Sequence, residues 1–415
     1  MARERVLALV LAGGTGSRME VLTRHRAKPA LPYAGVYRLI DLSLSNLRNS
    51  GMSDVWLVVQ YETQSITEAV AGGRPWDLDR THGGLRILPP QQEGGSDEGV
   101  WHEGNADAIY QHRHLIRAHD PSVLLVLSAD HVYRMDFNDL LRQHRASGAG
   151  VTLVSTVVPL DQASNHGTIT ASTDGKVTSF AYKPETPESP VVATEIFAYD
   201  PKLAMETLER LARETPASDG KRSGLEDFGH QFLPELVAAG QVHQYRLPGY
   251  WKDVGRPETY FQSHMDLLDP SIQLNLDDPD WPIFTLDPQR MPARFGNTGR
   301  LRNSLVSPGC VITGKVEHSV LAPGVVVEEG ATVRDAIILQ DTVIRTGATV
   351  QFAIVDQGVT IGKDATVGQK PKGDQPTTEE LVLVGMGARV KGGTTVRRGD
   401  RIAPKGSAIA IGHNR

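Results

Sequence analysis

The first residues that could do chemistry form a glycine-rich loop followed by cationic side chains. The stretch from Leu11 to Met19 reads LAGGTGSRM, and RAKPALP follows at residues 26–32. Backbone N–H groups of such a loop can approach a polyphosphate closely, and Arg18 and Lys28 would bring positive charge to the same anion. The loop therefore predicts a phosphate-binding site.

Two common phosphate-binding loops do not fit this stretch. A P-loop places Gly-Lys-Ser/Thr after four intervening residues, whereas this chain has Ser17 and Arg18 there. A dinucleotide-binding loop needs a third glycine where Met19 stands. A glycine turn beside a surface arginine and lysine stays open for the loop taken alone, so further residues must decide.

Two aspartates supply the second observation. Asp130 follows an apolar run in LSADHVYRMD, and Asp253 lies near a second strand end in YWKDVGRPETY. We expect both at the top of one sheet, where Mg²⁺ would take one or two carboxylates and leave its other positions to phosphate and water. Each aspartate alone could be a strand-end cap, but with the glycine loop they favour a metal bridging triphosphate oxygens.

Composition excludes several classes of protein. The 415 residues are 40% apolar and carry a formal net charge of −6, which favours two folded domains and gives no electrostatic footprint for nucleic acid. We expect no membrane association, because no apolar run approaches the roughly 20 residues of a spanning helix. The first apolar run reads as a strand rather than a signal peptide, and the single Cys310 fits a cytoplasmic location.

The first part of the chain, residues 1–270, has the pattern of an α/β domain. Near-continuous apolar runs such as VLALVLAGG and SVLLVLSADH alternate with helical spacing in DLSLSNLRNSG and NADAIYQHRHLIRAH. Runs of this kind are typical of strands buried on both faces of a parallel sheet. We therefore predict a doubly wound, mostly parallel sheet with its ligands at the carboxyl ends of the strands.

A six-residue repeat marks the last part of the chain, residues 301–415. The repeating positions are Val320, Val326, Thr332, Ile338, Ile344 and Val350, and the series continues after one slip at Val355, Ile361 and Val367. This period predicts a left-handed parallel β-helix of hexapeptide repeats, with an irregular β-sandwich as the alternative. Between the two parts, residues 271–300 are rich in proline and aspartate and read as a linker.

These motifs together resemble a known family. The stretches that carry the resemblance are LAGGTGSRM, HRAKPALPYAGVYRLIDLSLSN, GNADAIYQ, LSADHVYRMDF, FAYKP, DFGHQFLPEL and YWKDVGRPETY, followed by the six-residue repeat. The chain is similar over nearly its whole length to ADP-glucose pyrophosphorylase, the glucose-1-phosphate adenylyltransferase family. A sugar-1-phosphate nucleotidylyltransferase is the activity that the resemblance implies.

The resemblance also implies roles for individual residues. Asp130 and Asp253 would hold Mg²⁺, and Arg18 and Lys28 would counter the charge of the triphosphate. Lys183 would hold the phosphate of the acceptor. The nucleotide would be bound by Leu11, Ala12, Gly13, Gly14, Gly16, Gln60, Gly104 and Asp130.

The acceptor positions depart from the family pattern. Family members usually read Glu-Lys-Pro where this chain has Tyr182-Lys183-Pro184, and Ser-Met-Gly where it has a segment from Ala193 to Glu195. His102 stands where family members usually have an aromatic residue, and we assign His102 to acceptor binding as well. Gly167 matches the family pattern and is also assigned to the acceptor. Loss of a carboxylate and a hydroxyl predicts an acceptor other than glucose 1-phosphate.

Three functions follow as alternatives. The first is transfer of a nucleoside monophosphate from ATP or GTP to a glucose-like 1-phosphate such as the C7-cyclitol valienol 1-phosphate. The second is ordinary ADP-glucose synthesis for glycogen, with Tyr182 and Glu195 restoring the lost hydrogen bonds. The third is a catalytically silent regulatory subunit. The resemblance implies a homo-oligomer, a tetramer or a dimer.

Overall fold

The computed structural model describes residues 5–90, 102–215, 223–272, 274–286 and 289–407. The first and last residues of the two predicted domains, 1–4 and 408–415, lie outside this range. The strands of the first part are β1 (Val6–Ala12), β2 (Pro32–Tyr33), β3 (Tyr37–Arg38), β4 (Asp54–Val59), β5 (Gly84–Leu88), β6 (Val123–Ser128), β7 (His131–Tyr133), β8 (Val151–Val157), β9 (Gly167–Ala171), β10 (Val177–Tyr182), β11 (Val191–Tyr199), β12 (Val242–Arg246) and β13 (Trp251–Asp253).

The helices of this part lie between the strands. The α-helices are α1 (Leu39–Asn49), α2 (Thr63–Val70), α3 (Asn105–Gln111), α4 (Arg113–His119), α5 (Phe137–Ser147), α6 (Leu160–Ala163), α7 (Pro201–Glu214), α8 (Phe232–Ala238) and α9 (Pro257–Asp266). Short 3-10 helices span Ser17–Thr23, Lys28–Ala30 and Ala71–Trp76. The stretch predicted as one helix from residue 105 to 119 is two, because His112 leaves the helical conformation at φ −92° and ψ 6°.

One mixed sheet organises the first part. Its strand order is β10-β9-β11-β6-β1-β4-β5, with β8 and β12 joined through β11. Strands β1, β4, β5 and β6 pair in parallel, whereas β11 runs antiparallel to its neighbours. Leu7 and Leu9 of β1 enter one apolar cluster and Ala8 and Val10 enter another. Layers on both faces therefore explain the continuous apolar runs, and the doubly wound, mostly parallel fold is confirmed.

A two-stranded ribbon outside this sheet positions the second aspartate. Strand β13 pairs antiparallel with β7, and Asp253 lies directly opposite His131. Asp130 is the residue before β7, beyond the carboxyl end of β6. The expectation that both aspartates stand on one sheet is therefore wrong in detail, because the ribbon rather than the main sheet brings Asp253 to Asp130.

The last part of the described chain is a parallel β-helix. Its strands are β14 (Arg294–Phe295), β15 (Arg300–Arg302), β16 (Leu305–Val306), β17 (Val311–Ile312), β18 (Lys315–Glu317), β19 (Val320–Leu321), β20 (Val326–Val327), β21 (Thr332–Ile338), β22 (Val343–Ile344), β23 (Thr349–Val355), β24 (Thr360–Ile361), β25 (Thr366–Val367), β26 (Val382–Val384), β27 (Arg389–Val390), β28 (Thr395–Val396) and β29 (Arg401–Ile402). They stack in parallel ladders that join one coil to the next.

The register of the coils differs from the predicted one. Val326 pairs with Val343 and Val343 pairs with Thr360, so each of these two coils takes 17 residues rather than 18. The inward side chains follow steps of six, six and five residues, at Leu321, Val327, Val333, Ile338, Ile344, Val350, Val355, Ile361 and Val367. Three positions of the predicted six-residue series, Val320, Val326 and Thr332, stand one residue before inward positions. Val320 is buried against the α/β part instead, and Val326 and Thr332 are only partly buried.

The short side of the coil packs against the α/β part. Val320, Ile337, Ile354 and Leu383 stack in register on this side. They are buried in one cluster with Leu22 and other residues that follow the glycine loop. Both faces of these strands are thus apolar, because one faces the coil interior and the other faces the neighbouring domain.

The predicted linker is held against helix α1. Trp281 donates its indole N–H to Asn46 Oδ1 at 2.9 Å, and Asn49 Nδ2 donates to the Pro282 carbonyl at 3.0 Å. The amide of Phe284 donates to Ser45 Oγ at 2.9 Å. Within the described ranges, no helix has the length and apolar character that a membrane span requires.

Candidate active site

The glycine loop leaves the carboxyl end of β1 and turns back towards Lys28. Gly16 adopts φ +64°, which favours glycine, and a Cβ there would lie 3.2 Å from Thr23 Cγ2 and 3.3 Å from Lys28 Cβ. Thr23 Oγ1 donates to the Gly16 carbonyl at 2.8 Å and closes the turn. The conformation of Gly16 therefore sets how closely the loop approaches the lysine.

Lys28, Asp130 and Asp253 form a carboxylate cluster below the loop. Lys28 Nζ donates to Asp130 Oδ2 at 2.6 Å and lies 3.6 Å from Asp253 Oδ1. The lysine side chain is 10% exposed and the two carboxylates are 22% and 27% exposed. The two carboxylates are thus accessible to solvent, whereas the lysine side chain is largely buried.

Two neighbours support this cluster and were not singled out from the sequence. Ser128 Oγ donates to Asp130 Oδ1 in a short hydrogen bond. His131 Nδ1 donates to the Thr194 carbonyl at 3.1 Å, while its Nε2 lies 3.7 Å from Asp130 Oδ1 and 3.8 Å from Asp253 Oδ1. The sequence shows that His131 directly follows Asp130. Only the pairing of β7 with β13 shows that His131 also lies opposite Asp253.

The electrostatics keep both carboxylates ionised. Burial pushes the pKa of Asp130 upward, but the ammonium of Lys28, with His131 and Ser128, outweighs it and holds the pKa below its usual range. The same competition lowers the pKa of Asp253. Burial lowers the pKa of Lys28, yet the two aspartates outweigh it and raise the net value, so the lysine stays charged.

The carboxylate cluster fits a divalent cation shared with phosphate. Among the described residues no group of three or more His, Cys, Asp or Glu side chains forms a metal site. A pair of ionised carboxylates is what Mg²⁺ uses when a substrate phosphate supplies further ligands. Lys28, which is hydrogen-bonded to Asp130 and close to Asp253, would place a second positive charge beside that ion.

A cavity beside the glycine loop, here called the glycine-loop cavity, gathers most of the predicted nucleotide residues. It is lined by Leu11, Gly13, Gly14, Thr15, Val58, Gln60, Tyr61, His102, Glu103, Gly104, Asn105, Ala108 and Asp227. Gln60 Nε2 donates to the His102 carbonyl at 3.2 Å. His102, predicted to contact the acceptor, lines this cavity and is not among the residues that line the second pocket described below.

The remaining loop residues surround this cavity. Ala12 is 3% exposed and packs into the core below the loop, so its backbone is the part that can meet a ligand. A Cβ on Gly104 would lie 2.4 Å from the Glu226 carbonyl carbon, so two backbones meet there. Arg18 is exposed and is not among the residues that line this cavity, but its charge lowers the pKa of both Lys28 and His166, so it lies near both groups.

A second pocket, here called the Tyr182 pocket, holds the predicted acceptor residues except His102. It is lined by Asn105, His166, Gly167, Phe180, Tyr182, Lys183, Ala193, Glu195, Phe197, Asp227, Phe228, Gly229 and Leu233. Asn105 and Asp227 line both cavities. Asp227 Oδ1 accepts from the Asn105 amide at 3.2 Å, so this aspartate connects the two sites.

Tyr182 is built into its pocket. Its hydroxyl donates to Asp227 Oδ2 at 2.8 Å and accepts from Lys183 Nζ at 2.8 Å. Burial and the hydrogen bond to Asp227 raise the pKa of the phenol. A Cβ on Gly229 would lie 1.9 Å from Tyr182 Cδ2, so the aromatic ring fills space that only glycine leaves open. Asp227 and Gly229 stand in DFGHQF, where the sequence alone assigned them no role.

Glu195 reaches the same pocket from an irregular point in β11. Its φ of +57° belongs to the left-handed region, and the pairing with β8 shifts register between Ala193 and Phe197. The residue is exposed, yet desolvation of the carboxylate by nearby protein raises its pKa, and the charges of Asp130 and Asp253 add to that rise. A strained, accessible carboxylate in a pocket is a feature of binding sites.

Comparison with known proteins agrees with this architecture. Residues 7–270 match the nucleotidyl transferase family, and residues 289–384 match the GlmU-like C-terminal hexapeptide family. The chain is 39% identical over 342 residues to glucose-1-phosphate adenylyltransferase of Clostridium perfringens strain SM101, covering 82% of this chain and 85% of that one. The enzymes of the same name from Clostridium acetobutylicum and Bacillus cereus strain Q1 are 36% and 37% identical, each covering 81% of this chain and 86% and 88% of their own.

Proposed function

Because the chain belongs to the glucose-1-phosphate adenylyltransferase family of sugar-1-phosphate nucleotidyltransferases, we propose that it transfers a nucleoside monophosphate from ATP or GTP to a glucose-like ring 1-phosphate other than glucose 1-phosphate. A C7-cyclitol such as valienol 1-phosphate is the acceptor class. The single observation that carries this choice is Tyr182, which fills the acceptor pocket and engages Asp227 and Lys183.

The proposed reaction is in-line attack of an acceptor phosphate oxygen on the α-phosphorus, with pyrophosphate as the leaving group. A sugar 1-phosphate is already anionic, so no general base is required. The glycine loop, with Gly13, Gly14 and Gly16, would hold the triphosphate, and Arg18 and Lys28 would neutralise its charge. Gln60, Gly104 and the backbone near Leu11 and Ala12 would position the nucleoside, and Lys183 with Gly167 the acceptor.

Mg²⁺ is the proposed cofactor, held by Asp130 and Asp253. When bound, it would neutralise charge on the phosphate oxygens during transfer. The lowered pKa values of both aspartates support this assignment, since the carboxylates stay ionised and available across the neutral range. Lys28 would hold the two carboxylates together from the closed side of the cluster.

The acceptor choice rests on polar groups in the Tyr182 pocket. Both Asp227 oxygens already accept protein hydrogen bonds, from Asn105 and Tyr182. Ala193 offers no hydroxyl, and the phenol ring narrows the pocket beside it. A hexose hydroxyl that loses its partner on binding costs about 1–3 kcal/mol. A ring with fewer hydroxyls, or with hydroxyls directed at Glu195, would avoid that cost.

The second candidate is ordinary transfer of AMP to glucose 1-phosphate. It is favoured by the names of the relatives at 36–39% identity. In this alternative Glu195 accepts the sugar hydroxyls in place of the missing carboxylate. A silent regulatory role is disfavoured because Lys28, Asp130 and Asp253 form an intact cluster.

The experiment is a pyrophosphate-release screen. It crosses ATP, GTP, UTP and dTTP with hexose 1-phosphates and cyclitol 1-phosphates, valienol 1-phosphate included. We expect kcat/KM for a cyclitol phosphate at least roughly 10-fold above that for glucose 1-phosphate, the effect of one or two unpaired hydroxyls. Efficient turnover of ATP with glucose 1-phosphate would contradict the proposal and establish the second candidate.

A paired substitution tests the residues behind the preference. Tyr182→Glu with Ala193→Ser restores the usual family side chains, so the double variant should shift towards glucose 1-phosphate. The matched control is Tyr110→Glu with Ala212→Ser, which changes the same residue types outside the residues lining the pocket. An unchanged preference in the first variant would remove Tyr182 and Ala193 as determinants.

We also propose cytoplasmic location and a homo-oligomeric state. The one cysteine, Cys310, is a buried free thiol, which suits a reducing compartment. Light scattering of the purified protein would measure the oligomer, and a monomer would contradict this part of the proposal.

A further inference from the structure

The residues that follow the glycine loop form a short, irregular segment between Ser17 and Leu31, here called the cation segment. It carries Arg18 and Lys28 on 3-10 helices and turns rather than on a regular element. Glu20 breaks the first 3-10 helix with φ 53° and ψ −120°. A segment of this kind has few backbone hydrogen bonds of its own, so outside contacts must fix its conformation.

Two charged contacts join the cation segment to the β-helix. The Arg26 guanidinium, two residues before Lys28, forms an ion pair in which its Nη2 donates to both carboxylate oxygens of Asp356, and the side chains are 7% and 1% exposed. The Arg401 guanidinium pairs with Glu20, with Nε to Oε2 at 2.5 Å and Nη2 to Oε1 at 3.0 Å. Along the chain, Glu20 and Arg26 flank Leu22, which is itself buried in the cluster shared with the β-helix.

The β-helix side of both contacts is rigidly built. The Asp356 amide donates to the Val384 carbonyl at 2.8 Å within the ladder of coils. Arg401 also donates to three carbonyls, those of Leu381 at 2.6 Å, Thr378 at 2.7 Å and Gly399 at 2.9 Å. In the pair of Arg401 with Glu20, two guanidinium nitrogens meet two carboxylate oxygens, which fixes orientation as well as distance. The buried pair of Arg26 with Asp356 fixes the distance, so in both contacts a rigid partner constrains the segment.

We propose that Asp356 and Arg401 of the β-helix are positioning residues for the active site, because they clamp the cation segment and so fix Arg18 and Lys28 against the phosphates. The proposal rests on the assignment of Arg18 and Lys28 in the proposed function. Neither β-helix residue contacts the glycine-loop cavity, and both act through Arg26 and Glu20. The second domain then contributes to turnover as well as to stability.

The principal test is Asp356→Asn, which keeps the shape of the side chain and removes its charge. A buried guanidinium without a counter-charge is unfavourable, so Arg26 and the residues beside it should shift. We expect turnover to fall by roughly 10- to 100-fold, the effect of a displacement near 1 Å in a catalytic group, with the KM for the acceptor unchanged. Asp356→Glu, which restores the charge, should give turnover closer to wild type.

Ile337→Val is the matched control at the same domain interface. It removes a methylene from the cluster shared by the two domains and keeps both ion pairs. It should lower the melting temperature and leave turnover at 25 °C unchanged. A fall in turnover that follows the loss of melting temperature equally in both variants would show a purely structural role and overturn the proposal.

Hydrogen exchange gives a readout that does not depend on activity. Asp356→Asn should speed exchange of amides within the cation segment while the amides of β1 and β6 keep their wild-type rates. If Asp356→Asn prevents folding, Arg401→Gln tests the more exposed pair, since the Glu20 side chain is 32% exposed. Wild-type exchange in the segment and wild-type turnover in either folded variant would contradict the clamp, whatever acceptor the enzyme uses.

Discussion

A methyl group added at Gly229 tests whether Tyr182 is an integral part of the acceptor pocket. The new Cβ would lie 1.9 Å from Tyr182 Cδ2, 2.3 Å from Cγ and 2.5 Å from Cε2. Carbon atoms pack at about 3.5–4.0 Å, so the ring would have to move by about 1.5 Å. Gly229 does not have a positive φ, so Gly229→Ala introduces this collision without backbone strain.

The cost follows from the displaced ring. Overpacking of this kind destabilises by about 1–3 kcal/mol, which corresponds to a fall in melting temperature of roughly 2–6 °C. The Tyr182 hydroxyl would also leave Asp227 and Lys183, each 2.8 Å away in the wild-type protein. We therefore expect a raised KM for the acceptor and an unchanged KM for the nucleotide.

A double-mutant cycle measures the coupling. In a Tyr182→Ala background the ring is absent, so Gly229→Ala should cost less than about 0.5 kcal/mol. Gly373→Ala, at an exposed glycine whose nearest neighbour would be 3.9 Å from the new Cβ, is the matched control and should change nothing. Equal costs of Gly229→Ala with and without the ring would refute the assigned packing.

Three further predictions concern charged groups. Asp130→Asn should lower kcat by roughly 100-fold or more, because Lys28 and a bound metal would lose a shared carboxylate. The variant should stay folded with a lowered melting temperature, because the buried ammonium keeps only Asp253 as a counter-charge. Steady-state kinetics check the rate, and near-normal rates would remove Asp130 from the site. Lys183→Ala should raise the acceptor KM about 10- to 100-fold and spare the nucleotide KM, with Lys176→Ala as the surface control; an equal rise for both substrates would place Lys183 elsewhere. Glu195→Gln should raise the melting temperature in metal-free buffer at pH 7 but not at pH 4. The folded pKa of Glu195 is raised, so its ionisation penalises the folded state only as the pH rises above the ordinary value of 4.5, and a pH-independent difference would contradict this cause.

Much of the fold was predictable because local patterns of apolar residues indicate the type of each element. The continuous apolar runs of β1 and β6 have no polar face to expose, so they require layers on both sides of a sheet. The six-residue spacing likewise predicted a coil of short strands. Its register was wrong by one residue at Val320, Val326 and Thr332, because the side of the coil that faces the other domain takes five residues. A sequence does not show which surface a second domain will cover.

For the site, the sequence by itself determined which functional groups are available. It supplied a loop that can bind phosphate, two cations, two carboxylates, and Tyr182 where the family resemblance leads one to expect a glutamate. These follow from residue type and local spacing, and Lys28 with Asp130 and Asp253 do meet in one cluster. Local spacing is enough when each residue stands at the end of a recognisable strand or turn.

Only the tertiary structure decided which of these groups meet and what holds them. The contact of Tyr182 with Asp227 spans 45 residues, and that of Arg26 with Asp356 spans 330. No local pattern encodes such distances, because loop closure between remote segments is settled by how whole domains pack. The same packing decides that His102 lines the glycine-loop cavity and that His131 lies within 4 Å of both aspartates. Side chains are placed by the surfaces that enclose them.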